Sequence, residues 1–337
     1  MKSLRGMGWE VGLLVALILE LLLFSLLNSS FANLGNLLMS TSDFIAIGIV
    51  ALGLTLVVVG GGIDVSVGST VSLAAITMGV AWSHGIPLVL ACLLGLLAGA
   101  AAGALNAFLI TVTQVQPLVI TLATLYLYGG LALLLSGTVG ANGYEGISGF
   151  PDAFSTLANG TVGPIPYPLL LFVGLALLVG LLLGRSRYGR QLYLIGSNDR
   201  TARYSGLPVR RVRTWSYVIA GVLAALAGLV LSSYFSSARA DLGSTALLPA
   251  LTAVVLGGAS IYGGSGSILG TVLAVFIVGY LQIGLQAVGV SSQISNTLSG
   301  VLLIAAVALR TLTLMLTRWH QNRRVLRQTK GGPAASP

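Results

Sequence analysis

RSRYGRQLYLIGSNDRTARYSGLPVRRVR, residues 185–213, holds eight arginines and lies between two apolar runs of about twenty residues each. The whole chain has only 17 Lys and Arg among 337 residues, so nearly half of its positive charge stands in this one segment. Lys and Arg are retained on the cytoplasmic side of membrane proteins. An arginine-dense segment between two spanning-length apolar runs therefore predicts a cytoplasmic loop, and fixes the side on which every other loop must lie.

The composition agrees. Hydrophobic residues make up 55% of the chain and charged residues 7%, against roughly a quarter charged in a soluble domain. The mean hydropathy is +0.96. A helix crosses the ~30 Å hydrocarbon core with ~20 apolar residues, and ten candidate runs occur: 9–29, 42–60, 68–84, 87–112, 117–137, 166–184, 214–236, 246–262, 267–287 and 295–316. With the N-terminus inside and the runs alternating, Lys2, Arg5, the eight arginines of 185–213 and the basic residues from Arg310 to Lys330 all fall inside, leaving only Arg239 outside. Removing a middle span would split the charge between the two sides. The expectation is an all-α, polytopic bundle of about ten spans with both termini cytoplasmic. Residues 1–316 form one transmembrane domain in this scheme, with 185–213 as a cytoplasmic loop and 138–165 as a periplasmic loop. Residues 317–337 form a basic cytoplasmic tail.

The net charge of +9 does not point to nucleic acid, because the basic residues are spread over loops and tails between spans. The first apolar run is longer than the 7–15-residue centre of a secretory signal, so it reads as an uncleaved first helix. The loop after the fifth span, TVGANGYEGISGFPDAFSTLANGTVGPIP, has two acids and no base and is rich in Gly and Pro. It reads as an ordered outside loop with a short helix at 151–157.

Several chemistries lack their residues. Cys92 is the only cysteine, a small buried hydrophobe with no disulfide partner, and His84 and His320 are far apart. No metal-ligand cluster is expected. The two lysines, Lys2 and Lys330, sit in the tails, so no glycine-rich loop carries the Lys that a nucleotide-hydrolysing P-loop needs. No nucleophile–base pair lies in the spans. No catalytic residue, metal or chain-bound cofactor is expected; if ATP drives this protein, a separate polypeptide holds the ATP–Mg.

Two stretches echo one another: GGGIDVSVGSTVSLAAI (60–76) and GGASIYGGSGSILGTVLAVFI (257–277). Each sets Gly- and Ser-rich backbone between apolar runs. Such breaks are tolerated at membrane depth only when buried in protein or lining a wet cavity, and paired breaks in two halves point to a pathway. Asp64 stands in the first break. Either it fixes the loop and caps the following helix near Ser66 and Ser69, or it meets substrate or a proton. Asp43 is placed to cap the second span. Glu20 lies in the middle of the first span with no intramembrane base to pair with, facing either an aqueous seam or a partner subunit. The other polar residues in the spans are neutral: Asn106, Thr121, Thr124, Tyr126, Thr252, Gln282, Gln286 and Asn296. They suit either interhelical hydrogen bonds or an uncharged polyol. Gly95, Gly99 and Gly103, spaced by four, predict close helix packing.

Within the arginine-rich loop, Asn198 and Asp199 open a short helix over 199–205, and Gly206-Leu-Pro208 ends it. It is either a solvated loop helix or a docking element for a cytoplasmic partner.

GGGIDVSVGS, PLVITLATLYLYGG, the pattern GRxxYxxGSNxxxAxxSGLPV and GGASIYGGSGSILGT together resemble the monosaccharide-type, ribose-permease-like permeases of ABC importers, over about residues 35–310. The usual GGIDLSVGS differs here only by Val65. Residues 40–70, 133–151 and 236–267 resemble in particular the branch that imports autoinducer-2. The resemblance implies a lipid-embedded permease that pairs with a sister permease subunit in a heterodimer. A cytoplasmic ABC ATPase would drive it and a periplasmic ligand-binding protein would feed it. The substrate implied is autoinducer-2, a small neutral tetrahydroxy-furanose, with ribose or another monosaccharide as the alternative. A secondary carrier or channel is the reading from another class. The family's ATPase-coupling helix falls on Asn198, Asp199, Arg200, Ala202, Arg203, Ser205 and Gly206. Candidates for the translocation path or for fixing its loops are Asp64, Ser66, Asn106, Thr121, Thr124, Thr252 and Gln282.

Overall fold

The computed structural model describes residues 4–141, 145–291 and single positions between 293 and 308. The tenth expected span, Asn296 within it, and the basic tail therefore lie outside the described residues, apart from those single positions. The chain forms α1 (Leu4–Leu27), α2 (Leu34–Ser40), α3 (Ile45–Val59), α4 (Val67–Ser83), α5 (Leu88–Thr113), α6 (Pro117–Gly137), α7 (Asp152–Asn159), α8 (Tyr167–Arg185), α9 (Arg187–Ser197), α10 (Asp199–Tyr204), α11 (Val209–Tyr234), α12 (Leu247–Leu256) and α13 (Ile268–Ala287). The only sheet among the described residues is the two-residue pairing of β1 (Thr161–Val162) with β2 (Ile165–Pro166), inside the long outside loop.

Six helices, α1, α5, α6, α8, α11 and α13, are long and apolar enough to cross a membrane, and a seventh span results if Leu34–Asp43 joins α3 across a 61° bend. The two remaining expected spans are shorter: α4 has 17 residues and α12 has 10. At 1.5 Å per residue α12 covers about 15 Å, half the hydrocarbon core, so the eighth span is not the helix over 246–262 that hydropathy predicts. The segment before it folds inward instead. Gly243 N–H donates to Ser72 Oγ at 3.1 Å, and a Cβ on Gly243 would lie 1.9 Å from the carbonyl oxygen of Gly68.

α11 is the central helix and packs on α3, α4 and α5. Its contact with α5 rests on the predicted glycine row. A Cβ on Gly99 would come within 2.4 Å of Gly221 O, and one on Gly103 within 2.2 Å of Tyr217 O. α1 packs on α13 and turns a row of leucines outward. Both carboxylate oxygens of Glu20 are buried there without a hydrogen-bond partner among the described residues.

Contacts between the helix ends sort into two sets. At one end, Trp9 Nε1 donates to Leu256 O at 2.9 Å, Ser267 Oγ to Glu10 Oε1 at 2.5 Å, and Tyr193 OH to Gly266 O at 2.8 Å. At the other, Asn28 Nδ2 donates to Ala287 O at 3.0 Å, Trp82 Nε1 to Gly149 O at 3.1 Å, and Tyr234 OH to Asp43 Oδ1 at 2.5 Å. Ile147 and Ala238 form a backbone bridge at that second end. Each contact joins segments that the ten-span alternation places on one side. Asp43 is thus spent on Tyr234 rather than on the expected cap: the residue before α3 is Phe44, which makes no side-chain capping bond.

Candidate translocation and coupling site

The first glycine-rich break is held by a buried polar knot. Asp64 Oδ1 accepts the Ser66 N–H at 2.9 Å and the Ser66 hydroxyl at 2.6 Å. A carboxylate accepting from the backbone two residues on fixes a turn by local chemistry. Asn106 Nδ2, on α5, donates to Ser66 Oγ at 2.8 Å, and Tyr128 OH, on α6, lies 3.0 Å from Asn106 Oδ1 and 2.8 Å from Ala102 O. Thr121 Oγ1 accepts the Val65 N–H at 3.3 Å and donates to Ile63 O at 3.2 Å. Tyr217, on α11, reaches the same Ile63 carbonyl at 3.4 Å. Asp64, Ser66, Asn106, Thr121 and Thr124 are all buried. Buried polar groups at this depth cost several kcal/mol unless partnered, and here the partners come from four different elements.

Asp64 stands two residues before Ser66, the N-cap of α4, which makes no side-chain capping bond of its own. Asp64 therefore orders the loop into the helix rather than capping it directly. Asn106 lies seven residues before the end of α5, which puts the knot about 10 Å inside the inner helix ends.

The predicted residues do not all converge. Thr124 donates along its own helix to Thr121 O at 3.3 Å, and Thr252 donates to Leu248 O at 2.7 Å within α12. Gln282 is half-buried on α13. Thr252 lies on α12 and Gln282 on α13, helices that pack on one another and on α3; Gln282 stands 14 residues beyond the start of α13, about 21 Å from the second break.

The two breaks meet, and the arginine-rich loop meets both. Gly264 N–H donates to Val59 O at 2.9 Å, tying the second break to the first. α9 is amphipathic and lays its inner face across the junction. A Cβ on Gly196 would stand 1.9 Å from Val59 O and 2.5 Å from Gly264 N, and one on Gly263 would stand 2.5 Å from Gly196 O. Gly61, Gly263 and Gly264 have φ of +77°, +87° and +74°, a region open to Gly and strained for other residues. Neither Gly196 nor Tyr193 was among the residues singled out from the sequence. Their signal was present, since both are fixed positions of the pattern GRxxYxxGSN, three apart on one helix face.

α10 follows directly. Asn198 Oδ1 accepts the Thr201 N–H at 3.0 Å. At the other end Gly206, with φ +75°, donates to Arg203 O at 3.0 Å and Leu207 donates to Ala202 O at 3.1 Å, the bond pair of a Schellman stop. Asp199 takes Arg203 Nε on Oδ2 at 2.9 Å and Arg213 Nη2 on Oδ1 at 3.1 Å. Ala202 faces inward and packs in the same core cluster as Leu192, Val209 and Val212, while Arg200, Arg203, Ser205 and Gly206 are exposed and Tyr204 is 92% exposed.

The one basic residue expected outside is neutralised where it stands. Arg239 binds Asp241 through two bonds of 2.8 and 2.9 Å, and this guanidinium holds the Asp241 carboxyl below the usual range.

A family model described as "Branched-chain amino acid transport system / permease component" matches residues 36–307. Among curated proteins, the chain is 55% identical over 327 residues to the Autoinducer 2 import system permease protein LsrD of Yersinia pseudotuberculosis serotype O:3 (strain YPIII), covering 96% of this chain and 98% of that one. It is 54% identical over the same extent to the protein of that name from Yersinia pestis (strain Pestoides F). No solved structure matches the chain. Buried helix breaks locked by a capped inner loop are the parts a gated membrane path needs. With that architecture and these matches along nearly its whole length, the chain belongs to the permease-component family of bacterial transport systems, and is a multi-pass membrane permease rather than an enzyme.

Proposed function

We propose that this chain is the permease subunit of an ATP-driven importer that carries autoinducer-2 into the cytoplasm. The observation that carries the reading is the identity above one half, maintained over 96% of the chain, with permeases of autoinducer 2 import systems. The chemistry of the spans supports it. The side chains around the first break are hydroxyls, an amide and a single carboxylate already engaged by Ser66, which suits a neutral polyhydroxylated ligand better than an ion.

In this reading a sister permease completes the membrane core, a periplasmic binding protein delivers the ligand, and an ABC ATPase with its ATP–Mg docks on the cytoplasmic face. α10 presents Arg200, Arg203 and Tyr204 to the ATPase. Movement of α10 passes through α9 to the Gly196 junction, and so to both breaks at once. The Asp64–Ser66–Asn106 knot holds the first break rigid, so that the motion shifts whole helices rather than fraying a loop. Thr252 and Gln282, on α12 and α13, are candidates for the translocation path itself. Residues 1–316 act as one domain, with 185–213 as its coupling loop.

The test is depletion of autoinducer-2 from the medium by cells lacking only this chain, with and without its restoration, beside ribose uptake by the same cells. Loss and recovery of autoinducer-2 depletion with ribose unchanged supports the assignment. Loss of ribose uptake instead would move the substrate to a monosaccharide and keep the mechanism.

A further inference from the structure

A cavity of about 370 Å³ opens on the arginine-bearing end of the molecule, between the α5–α6 turn and the start of α11. Arg200, Arg203, Arg210 and Arg213 line it with a single acid, Asp199. Both oxygens of that acid are already occupied, by Arg203 Nε and Arg213 Nη2. The cavity therefore keeps an excess of three positive charges. Arg200 and Arg210 have no ion-pair or hydrogen-bond partner for their guanidinium groups among the described residues. The Nε of Arg213 is buried and likewise unpartnered. A second, shallower depression of about 320 Å³ shares Arg203, Val209 and Arg210 with the first and adds Arg211.

Helix ends do not explain the arrangement. α6 and α11 open on the cavity with their N-termini, while α5 closes on it with its C-terminus, so the macrodipoles partly cancel and the guanidinium groups dominate. Positive-inside topology alone asks only for charge on this side. It does not ask for four arginines around one concave space with a buried N–H left unpaired, since a buried donor without an acceptor costs about 1–3 kcal/mol.

We propose that this cavity is a binding site for a phosphate group. The planar guanidinium fork matches two oxygens of a phosphate, and a phosphate acceptor would give Arg200 and Arg210 the partners they lack. The volume suits a small ligand or headgroup. Two sources share this chemistry: the headgroup of an anionic phospholipid, since basic pockets between helices on the cytoplasmic side take such headgroups, and free phosphate. The site is distinct from the proposed substrate path but shares Arg200 and Arg203 with the surface proposed to meet the ATPase, so its occupancy is read by binding to the purified chain alone.

The experiment uses the purified full chain. In detergent, inorganic phosphate is titrated against chloride at matched ionic strength, with thermal unfolding as the readout. In nanodiscs, phosphatidylglycerol is compared with phosphatidylcholine by native mass spectrometry of retained lipid. The variants are Arg200→Gln with Arg210→Gln, Arg200→Gln alone, and Arg187→Gln as the control for loss of one charge outside the cavity. The native chain and R187Q bind saturably, and the double variant binds about tenfold or more weakly, the loss expected for two charge-assisted contacts. Phosphate binding by itself assigns the site to a free anion; retention of phosphatidylglycerol without a phosphate effect assigns it to lipid. If neither probe binds saturably, or the double variant binds as the native chain does, the proposal is overturned. R200Q alone, at an exposed position, serves where the double variant is not recovered.

Discussion

At the scale of single residues, Asp64 decides how the first break behaves. It accepts two hydrogen bonds from Ser66, in a site where it is itself buried. Asp64→Ala would leave the Ser66 N–H unpaired and loosen the hydroxyl that Asn106 holds, at a cost of about 1–3 kcal/mol. Asp64→Asn keeps an acceptor oxygen in the same place. The purified chain should therefore show a clear drop in unfolding temperature for D64A and a much smaller one for D64N, with uptake falling in parallel. If D64A unfolded like the native chain while transport was lost, Asp64 would be a ligand contact and not a loop-fixing residue. This residue was legible in the sequence because an Asx turn is local chemistry: Asp, then Ser two positions on, between glycines. Its anchors Tyr128 and Tyr217 were not, since nothing near residue 64 says which distant hydroxyls will reach it.

At the scale of elements, the α5–α11 contact and α10 give opposite lessons. α5 approaches α11 so closely at Gly103 that a methyl group would overlap the Tyr217 carbonyl, whereas a methyl group on Gly130 of α6 meets nothing within 4 Å. Gly→Ala in a helix is otherwise favourable by up to about 1 kcal/mol. Gly103→Ala should thus lower the unfolding temperature of the purified chain, and Gly130→Ala should leave it unchanged or raise it. Equal behaviour of the two would mean that α5 and α11 do not pack at this distance. The row of small residues was legible as close packing, though its partner helix was not. α10 was legible almost entirely, since Asn198 at its start and Gly206 at its end are local signals. Gly206→Ala forces an L-residue into the left-handed region, at a cost of about 1–2 kcal/mol, and should fray the helix end. Tyr204→Ala removes only an exposed ring and should leave the unfolding temperature alone. If α10 is the docking element, Tyr204→Ala reduces ATP-dependent uptake severalfold in the assembled importer. Native uptake in both variants would remove α10 from that role.

At the scale of the whole molecule, hydropathy found the long apolar helices but misjudged how the chain fills the membrane. Hydropathy sees apolar residues and not backbone shape, so it took 246–262 for a helix where the structure has the 10-residue α12, with an inward-folded segment before it and a glycine-rich turn after it. The meeting of Gly61, Gly196, Gly263 and Gly264 was equally hidden, because it joins three segments far apart in the chain. The contacts between helix ends join segments that the expected alternation puts on one side, and the alternation makes a direct prediction. Cys92 is the only cysteine, so Cys92→Ser gives a thiol-free background for single labels. Thr161→Cys, on the exposed β1 of the long loop, should react with a membrane-impermeant maleimide in intact spheroplasts. Tyr204→Cys, on α10 and fully as exposed, should react only after the membrane is opened. Both positions are solvent-facing, so a difference in labelling reports the side and not the burial. The reverse pattern would turn the molecule over and set the eight arginines outside. Labelling of both from one side would mean that α8, the one expected span between residues 161 and 204, does not cross the membrane. Only the outcome with residue 161 outside and residue 204 inside leaves α10, the Gly196 junction and the arginine-lined cavity on the face where a cytoplasmic ATPase can reach them.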